Sequence, residues 1–401
     1  MVKNYLKLVA LAAMFSANAN AQQLTNSTFD AEWVECHPWE KGEYYNDAFG
    51  TQPEGWRVSN VPNSLMPLVA SEEVGADGEG KAVKLENVSV MGQVAPGYIT
   101  LGTTWATAET QGFNIRNADG GVFGGIPFTF HPDAIQLDYK HDISKGEEQM
   151  SMIAYLWKGT WTQDDVPSNT AIGLFKYGEA TKVTMTDRGN NVLGKDCLQG
   201  GNITKTEDAA LIASVETYIP DAAEEWTTLT AELDYGEYAG QTVDVEKLNI
   251  VVSVSDFFGD REKIVDGNSV CIDNVKLLYY HALSALAYEG DTIDFAEDTY
   301  AYSLDSVVYD VEKLSFAIKG QGATASTTFN EETFLLTIRV EGEDIESNPE
   351  SFTEYTVQFA DPASLNPEPQ PVWGDIDDDG AVTVEDITKL IEIYLEQGQD
   401  E

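Results

Sequence analysis

The chain has 401 residues, and its 68 acidic residues outnumber the 23 lysines and arginines, which gives a formal net charge of −45. Such a charge repels phosphate backbones and anionic lipid, so it excludes nucleic acid and anionic membrane surfaces as partners. It suits calcium, cationic surfaces or neutral glycans, and it equally suits plain solubility outside a cell.

The first 21 residues have the pattern of a secretory signal peptide. Lys3 and Lys7 precede an apolar run from Leu8 to Phe15, and Ala19-Asn20-Ala21 supplies small residues for cleavage after Ala21. The apolar run is too short to cross a bilayer. We therefore expect a secreted or cell-surface protein without membrane insertion.

Residues 22–281 show the two-residue periodicity of half-buried strands. Apolar and polar residues alternate around Ile135, Leu137 and Tyr139, and again around Ile250 and Val252. Glycine, asparagine and aspartate clusters separate these stretches. The pattern predicts an all-β domain, a jelly-roll β-sandwich.

Residues 282–360 form a second, smaller unit in the sequence. Three further alternating stretches, around Phe316, Leu336 and Val357, predict strands of a small immunoglobulin-like β-sandwich. Asn330-Glu331-Glu332 predicts a turn between two of them. Four prolines mark the stretch that follows, and we interpret 361–372 as an extended linker.

Short motifs in the first domain are informative together. They are Asn26-Ser27-Thr28-Phe29-Asp30, Pro53-Glu54-Gly55-Trp56, Ala95-Pro96-Gly97-Tyr98 and the stretch from Val270 to Leu277. This layout resembles a carbohydrate-metabolism domain of secreted Bacteroidetes proteins. More broadly, it is similar to the galactose-binding-like jelly rolls that serve as carbohydrate-binding modules.

The resemblance implies a metal site in the first domain. In such jelly rolls the last strand lies beside the first, and a structural calcium is often held there. Asp273, with Asp30 or Glu32, would supply carboxylates to this possible second site. The alternative is that Asp273 ends a strand and accepts hydrogen bonds from the backbone, and the two interpretations have similar weight.

Two tryptophans are the candidates for contact with a sugar. Trp157 and Trp161 flank Lys158-Gly159-Thr160, and strand alternation would place both rings on one face. Indole rings pack against the flat C–H faces of sugars. Because most tryptophans in a β-sandwich belong to the core, the packing interpretation is the stronger one for either residue.

Residues 373–401 contain the clearest motif of the chain, which is a twelve-residue loop with oxygen ligands at regular spacing. Calcium binds six to eight oxygens, and Asp375, Asp377 and Asp379 would supply carboxylates. Ala381 would offer its carbonyl, Thr383 would hold a water, and Asp386 would close the loop. Apolar residues from Val384 to Leu395 recur at helical spacing, which predicts a helix directly after the loop.

The prolines upstream exclude an entering helix, so the ordinary EF-hand pattern does not apply. A loop with only the exiting helix, and with Asp at its twelfth position, resembles one repeat of a type I dockerin. The resemblance implies docking to a cohesin-like protein partner. Dockerins usually carry two repeats, and the sequence shows one.

These observations favour a secreted, calcium-binding protein that binds or displays glycans, and they favour a non-catalytic role over an enzymatic one. The first alternative is an extracellular enzyme acting on polysaccharide, such as a glycoside hydrolase, which needs a pair of carboxylates that so acidic a chain can easily supply. The second alternative is a purely structural surface or adhesion protein.

Overall fold

The structure is a computed structural model. It describes residues 23–37, 48–60, 67–90, 92–111, 114–143, 145–164, 185–186, 202–259, 263–365, 373–377 and 381–397. The predicted signal peptide lies outside these residues. None of the helices within them is long and apolar enough to span a membrane.

The described residues form two compact units. Unit 1 runs to His281 and also includes Lys319–Thr324 and Glu341–Phe352, and unit 2 contains the remaining residues from Ala282 onward. The strands before His281 are β1 (Trp33–Glu35), β2 (Thr51–Pro53), β3 (Arg57–Val58), β4 (Ala70–Val74), β5 (Lys81–Glu86), β6 (Val88–Val90), β7 (Gln93–Ala95), β8 (Tyr98–Thr100), β9 (Thr103–Gln111), β10 (Asn114–Phe123), β11 (Ile126–Pro127), β12 (Ala134–Asp142), β13 (Met150–Lys158), β14 (Trp161–Asp164), β15 (Met185–Thr186), β16 (Asn202–Lys205), β17 (Ala210–Ile219), β18 (Ala223–Glu232), β19 (Lys247–Ser253) and β20 (Ser269–Leu278).

Unit 1 is an antiparallel β-sandwich, which confirms the predicted all-β class. One sheet has six strands in the order β17-β13-β19-β8-β3, with β11 beside β19, and the other has five in the order β18-β12-β20-β5-β4. The core between them contains Leu85, Ile135, Leu156, Ile250 and Ile272 among others. The apolar residues that alternate with polar ones in the sequence therefore lie on the inward face of each strand.

Every residue of β13 from Met150 to Trp157 is buried. Met152 and Leu156 belong to the core between the sheets, whereas Tyr155 and Trp157 belong to a second cluster on the outer face of the six-stranded sheet. A strand buried on both faces has a continuous apolar sequence without alternation. Its sequence, MSMIAYLW, is of this kind.

Unit 2 has a four-stranded sheet and a two-stranded sheet. The elements after Tyr280 are β21 (Ala282–Tyr288), β22 (Ala301–Leu304), β23 (Leu314–Lys319), β24 (Thr324–Asn330), β25 (Leu335–Glu341), β26 (Phe352–Phe359), α1 (Pro362–Leu365) and α2 (Val384–Gln397). The order of the four-stranded sheet is β22-β26-β25-β24, in which β22 and β26 are parallel, and in the two-stranded sheet β21 pairs with β23.

The predicted turn after Asn330 is confirmed. The side chain of Asn330 accepts hydrogen bonds from the amides of Glu332 and Thr333, at 2.9 and 3.1 Å. An asparagine that bonds the backbone two residues on stabilises such a turn locally, which is why the turn could be recognised in the sequence.

His131 connects the segment Glu341–Phe352 to the sandwich within unit 1. Its backbone amide donates to Glu343, its Nδ1 lies 2.9 Å from Glu343 Oε1, and its Nε2 lies 2.6 Å from the carbonyl of Val243. Both ring nitrogens face acceptors, an arrangement that favours the doubly protonated, cationic imidazole. Burial opposes the charge, but the hydrogen bond and the negative charge of Glu343 outweigh it and raise the pKa of His131.

We predict that Glu343→Gln destabilises the protein by about 1–2 kcal/mol at pH 5.5, because it replaces a charge-assisted hydrogen bond with a neutral one. The pKa of His131 is raised on folding, so this stabilisation is complete below the unfolded pKa of roughly 6.5 and is lost as the pH rises through the folded pKa. Urea unfolding at half-unit steps from pH 5 to 9 measures the difference in unfolding free energy between wild type and Glu343→Gln. The exposed Glu346→Gln is the control. A difference between wild type and Glu343→Gln that stays constant with pH contradicts the prediction.

Candidate functional site

The C-terminal loop brings three of its predicted ligands together. Asp375, Asp377 and Asp386 each offer a carboxylate oxygen, and these oxygens lie within 4.8 Å of one another. Asp379, predicted at the fifth position, lies outside the described residues. Three carboxylates this close repel each other strongly unless a cation or hydrogen-bond donors compensate them.

Asp386 also closes the loop through hydrogen bonds. Its Oδ2 accepts from the amide of Thr383 at 2.6 Å, and its Oδ1 accepts from the amides of Ile376 and Asp377 at 2.6 and 3.3 Å. These hydrogen bonds, from Thr383 first and Ile376 next, lower the pKa of Asp386. The carboxylate therefore holds both ends of the loop in one arrangement.

Thr383 and Asp386 together begin α2. The Thr383 hydroxyl accepts the amide of Glu385 at 3.1 Å, while Asp386, three residues after Thr383, accepts the Thr383 amide. This is the reciprocal arrangement of a capping box, with Asp in place of the more usual Glu or Gln. Asp386 therefore takes part in both the loop and the first turn of the helix. Coordination by the Ala381 carbonyl, and by Thr383 through a water, stays a prediction.

α2 exposes an apolar stripe. Ile387, Leu390, Ile391 and Leu395 are each more than half exposed, and Tyr394 is 78% exposed. They recur at intervals of three and four residues, so they lie on one side of the helix. Contiguous exposed apolar surface of this kind is typical of sites at which a protein binds another molecule.

At the possible second metal site, the backbone is the partner that the structure shows. Asp273 is buried, and its Oδ2 accepts the amide of Ala76 at 2.8 Å while its Oδ1 accepts that of Asn274 at 2.7 Å. Asp30 Oδ1 accepts the amide of Lys81 at 2.8 Å. Burial, and then the charges of Asp30 and Asp138, raise the pKa of Asp273. Metal binding by this pair stays a prediction.

Of the two interpretations of Trp157, the structure agrees with packing, the stronger one, and not with contact to a sugar. Trp157 is fully buried on β13, and a Cβ at Gly125 would lie only 2.8 Å from its indole ring. The unbroken apolar sequence of β13 was the signal for this burial. Trp161 begins β14, and its side chain lies outside the described part of the protein.

Sequence reasoning missed a row of polar groups beside Trp157 on the same face. Asn249 is fully buried on β19, opposite Tyr155 of β13, and its Oδ1 accepts the Thr100 hydroxyl at 2.8 Å. The hydroxyls of Tyr155 and Tyr218 donate to the two carboxylate oxygens of Glu216, at 3.2 and 3.1 Å. No sequence motif joins these residues, because the sheet register brings them together.

Comparison with known proteins leaves the family open. No protein-family profile and no curated protein matches the sequence. Among solved structures, a candidate glycoside hydrolase from Bacteroides thetaiotaomicron is 14% identical, with a TM-score of 0.33 over 62% of this chain and 72% of that one. A similar protein from Bacteroides vulgatus is 14% identical, with a TM-score of 0.29 over 53% and 77%.

A carbohydrate-binding module that recognises mannan is 16% identical, with a TM-score of 0.20 over 62% of this chain and 95% of the module. Likenesses at this level carry no argument about a site or an activity. The functional argument therefore depends on this chain's own residues.

We predict that Asp386→Ala makes α2 fray, because it removes the cap on Thr383 and the bonds that close the loop. Amide hydrogen exchange across the first turn of α2 should become roughly fivefold faster, as expected for loss of a helix cap. Asp386 has a lowered pKa, so its contribution is present above the unfolded value and is lost as the pH falls through the folded value. Glu385→Ala is the matched control, and equal exchange in the two variants contradicts the role of Asp386.

Proposed function

We propose that this chain is an exported, non-catalytic, carbohydrate-associated protein whose C-terminal loop binds calcium and presents α2 for docking. The observation that carries the proposal is the convergence of the Asp375, Asp377 and Asp386 carboxylates. Carboxylate oxygens are the ligands that calcium prefers, and the spacing at positions 1, 3 and 12 is that of a calcium loop.

The chemistry of the ligand set favours calcium over softer metals. The converging groups are all oxygens, with no histidine or cysteine among them, which suits hard cations rather than zinc or copper. Calcium also accepts irregular coordination, so backbone carbonyls and water can complete its shell. Magnesium demands a stricter octahedron and keeps more of its own water.

Docking is supported by the exposed stripe on α2. A helix of 14 residues is marginal on its own in water, and its apolar side is left open to solvent. Burial of that stripe by a partner protein would stabilise both the helix and the capped loop. The resemblance to a dockerin repeat suggests a cohesin-like partner.

The carbohydrate association is supported by the resemblance of the first domain to glycan-handling jelly rolls and by the sandwich architecture. The overall negative charge fits a neutral ligand rather than an acidic polysaccharide. Release of reducing sugar from a polysaccharide panel, abolished by one carboxylate substitution, would replace the non-catalytic role with the enzymatic one.

We predict that calcium binding to the full chain produces measurable heat in isothermal titration, and that Asp377→Asn weakens it at least about tenfold. The substitution keeps the size of the side chain and removes one of the charges on which affinity depends. Glu392→Gln on the exposed side of α2 removes one charge outside the loop and serves as the matched control. Equal affinity in the two variants, or no heat at millimolar calcium, contradicts the calcium site.

A further inference from the structure

His141 occupies a core position at the end of β12. The alternation that buries Leu137 and Tyr139 continues to His141, which is only 1% exposed. The residues opposite it are Ala223 on β18 and Val270 on β20, and both are apolar. In such surroundings a charged imidazole is costly unless each of its N–H groups finds an acceptor.

The two ring nitrogens of His141 have different surroundings. Nδ1 lies 3.1 Å from the carbonyl oxygen of Asp221, in the short connection between β17 and β18. A carbonyl oxygen can only accept, so Nδ1 carries the hydrogen of this contact. Nε2 is buried and has no hydrogen-bond partner among the described residues. The neutral imidazole therefore fits this position, whereas the cation would bury a second N–H group without an acceptor.

The hydrogen bond from His141 fixes a connection that passes between the two sheets. β17 is an end strand of the six-stranded sheet, and β18 is an end strand of the five-stranded sheet. Asp221 lies in the middle of the three residues, 220–222, that join them. A side chain of β12 thus holds the point at which the chain leaves one sheet for the other.

The charges around His141 do not compensate for its burial. Burial lowers the pKa of His141, while the Asp221 carbonyl and the charges of Glu148 and Asp142 act in the opposite direction without outweighing it. Glu148 lies just before β13, and its two carboxylate oxygens already accept from the side-chain amide of Asn87 at 3.1 and 3.0 Å. Asp142 is the last residue of β12 itself. His141 is therefore held in its neutral form.

His131, before the other end of β12, responds to protons in the opposite sense. Its ring nitrogens face the Glu343 carboxylate and the Val243 carbonyl, so both N–H groups of its cation are paired. Burial opposes the charge, but Glu343, then Val243 and the charge of Asp244, together raise the pKa of His131. Protonation strengthens this contact, whereas it weakens the one at His141.

We propose that β12 carries a pH-responsive device that acts in opposite directions at its two ends. Protonation of His141 releases the connection at Asp221 and loosens the end strands β17 and β18. Protonation of His131 strengthens its contact with Glu343 and keeps the segment Glu341–Phe352 in place. Acid would thus open one edge of the sandwich and leave the other end of β12 closed.

Both ends respond over the same range of pH. The pKa of His141 is lowered on folding, so its contribution to stability is complete above the unfolded value of roughly 6.5 and is lost as the pH falls from there through the folded value. The pKa of His131 is raised, so its contribution is complete below the unfolded value. Acidification through about pH 6.5 therefore weakens the first contact and not the second.

The first test follows the four histidines of the full chain by NMR, with ¹⁵N-labelled histidine, from pH 5 to 8. We expect His141 to remain neutral, with its hydrogen on Nδ1, at pH values at which histidines of the urea-unfolded chain are already cationic. We expect His131 to remain cationic at higher pH than they do. His141→Asn and His131→Asn assign the two signals. A His141 that titrates with the unfolded chain or above it, or that carries its hydrogen on Nε2, overturns the proposal.

The second test measures amide hydrogen exchange in residues 218–226 of the full chain at pH 7.5 and 5.5, corrected for intrinsic rates. We expect the protection of this stretch to fall severalfold at pH 5.5. The fall should not exceed about tenfold, because an unfolded pKa of roughly 6.5 limits the effect at that pH. Protection of Glu341–Phe352 should stay the same or rise over the same step.

His141→Asn is the variant that isolates the proton. The side-chain amide of asparagine can donate to Asp221 in place of Nδ1, but it does not titrate. This variant should keep the protection of residues 218–226 at pH 7.5 and lose its dependence on pH. His281→Asn, which removes a histidine between β20 and β21, is the matched control and should respond as wild type does.

Two outcomes of the exchange measurement overturn the proposal. One is wild-type protection of residues 218–226 that does not change between the two pH values. The other is a pH response of equal size in wild type and in His141→Asn. Because the wild-type measurements decide the matter by themselves, the test holds even if a variant fails to fold.

Discussion

The structure of unit 1 depends on the burial of β13 on both of its faces. One face packs into the core between the two sheets, and the other lies under the outer cluster with Tyr155 and Trp157. Burial of a large apolar side chain contributes about 1.5–3 kcal/mol, so the residues from Met150 to Trp157 stabilise the sandwich from both faces of the strand. The same burial removes water from every polar atom beside it, including those of Asn249 on the neighbouring strand.

Polar groups have different surroundings in the C-terminal loop and on the outer face of the six-stranded sheet. In the C-terminal loop, the carboxylates lie at a partly exposed turn, and backbone amides donate to Asp386, so the proposed ion would add to an arrangement that is already closed. On the outer face of the six-stranded sheet, the donors of Trp157 and Asn249 are buried without acceptors. Hydrogen bonds hold the loop together at Asp386, whereas the sheet face carries the cost of two unpaired buried donors.

Sequence reasoning succeeded where the determining interactions are local. The alternation at Ile135, Leu137 and Tyr139 identified β12, and the spacing of Asp375, Asp377 and Asp386 predicted that their carboxylates lie together, because both patterns are local in the chain. At Trp157 the surrounding apolar run gives no alternation, and the structure agrees with packing, the interpretation that the sequence favoured. Pairing of Tyr155 with Asn249 depends on sheet register between distant segments, and no local pattern encodes it.

The burial of this outer face can be measured directly through the indole N–H groups. In a protein labelled with ¹⁵N at tryptophan, the account predicts that the Trp157 indole exchanges its hydrogen with solvent very slowly, while that of Trp373, whose side chain is fully exposed, exchanges at once. Exchange at Trp157 as fast as at Trp373 would show that solvent reaches this face freely, which contradicts the two-sided burial of β13.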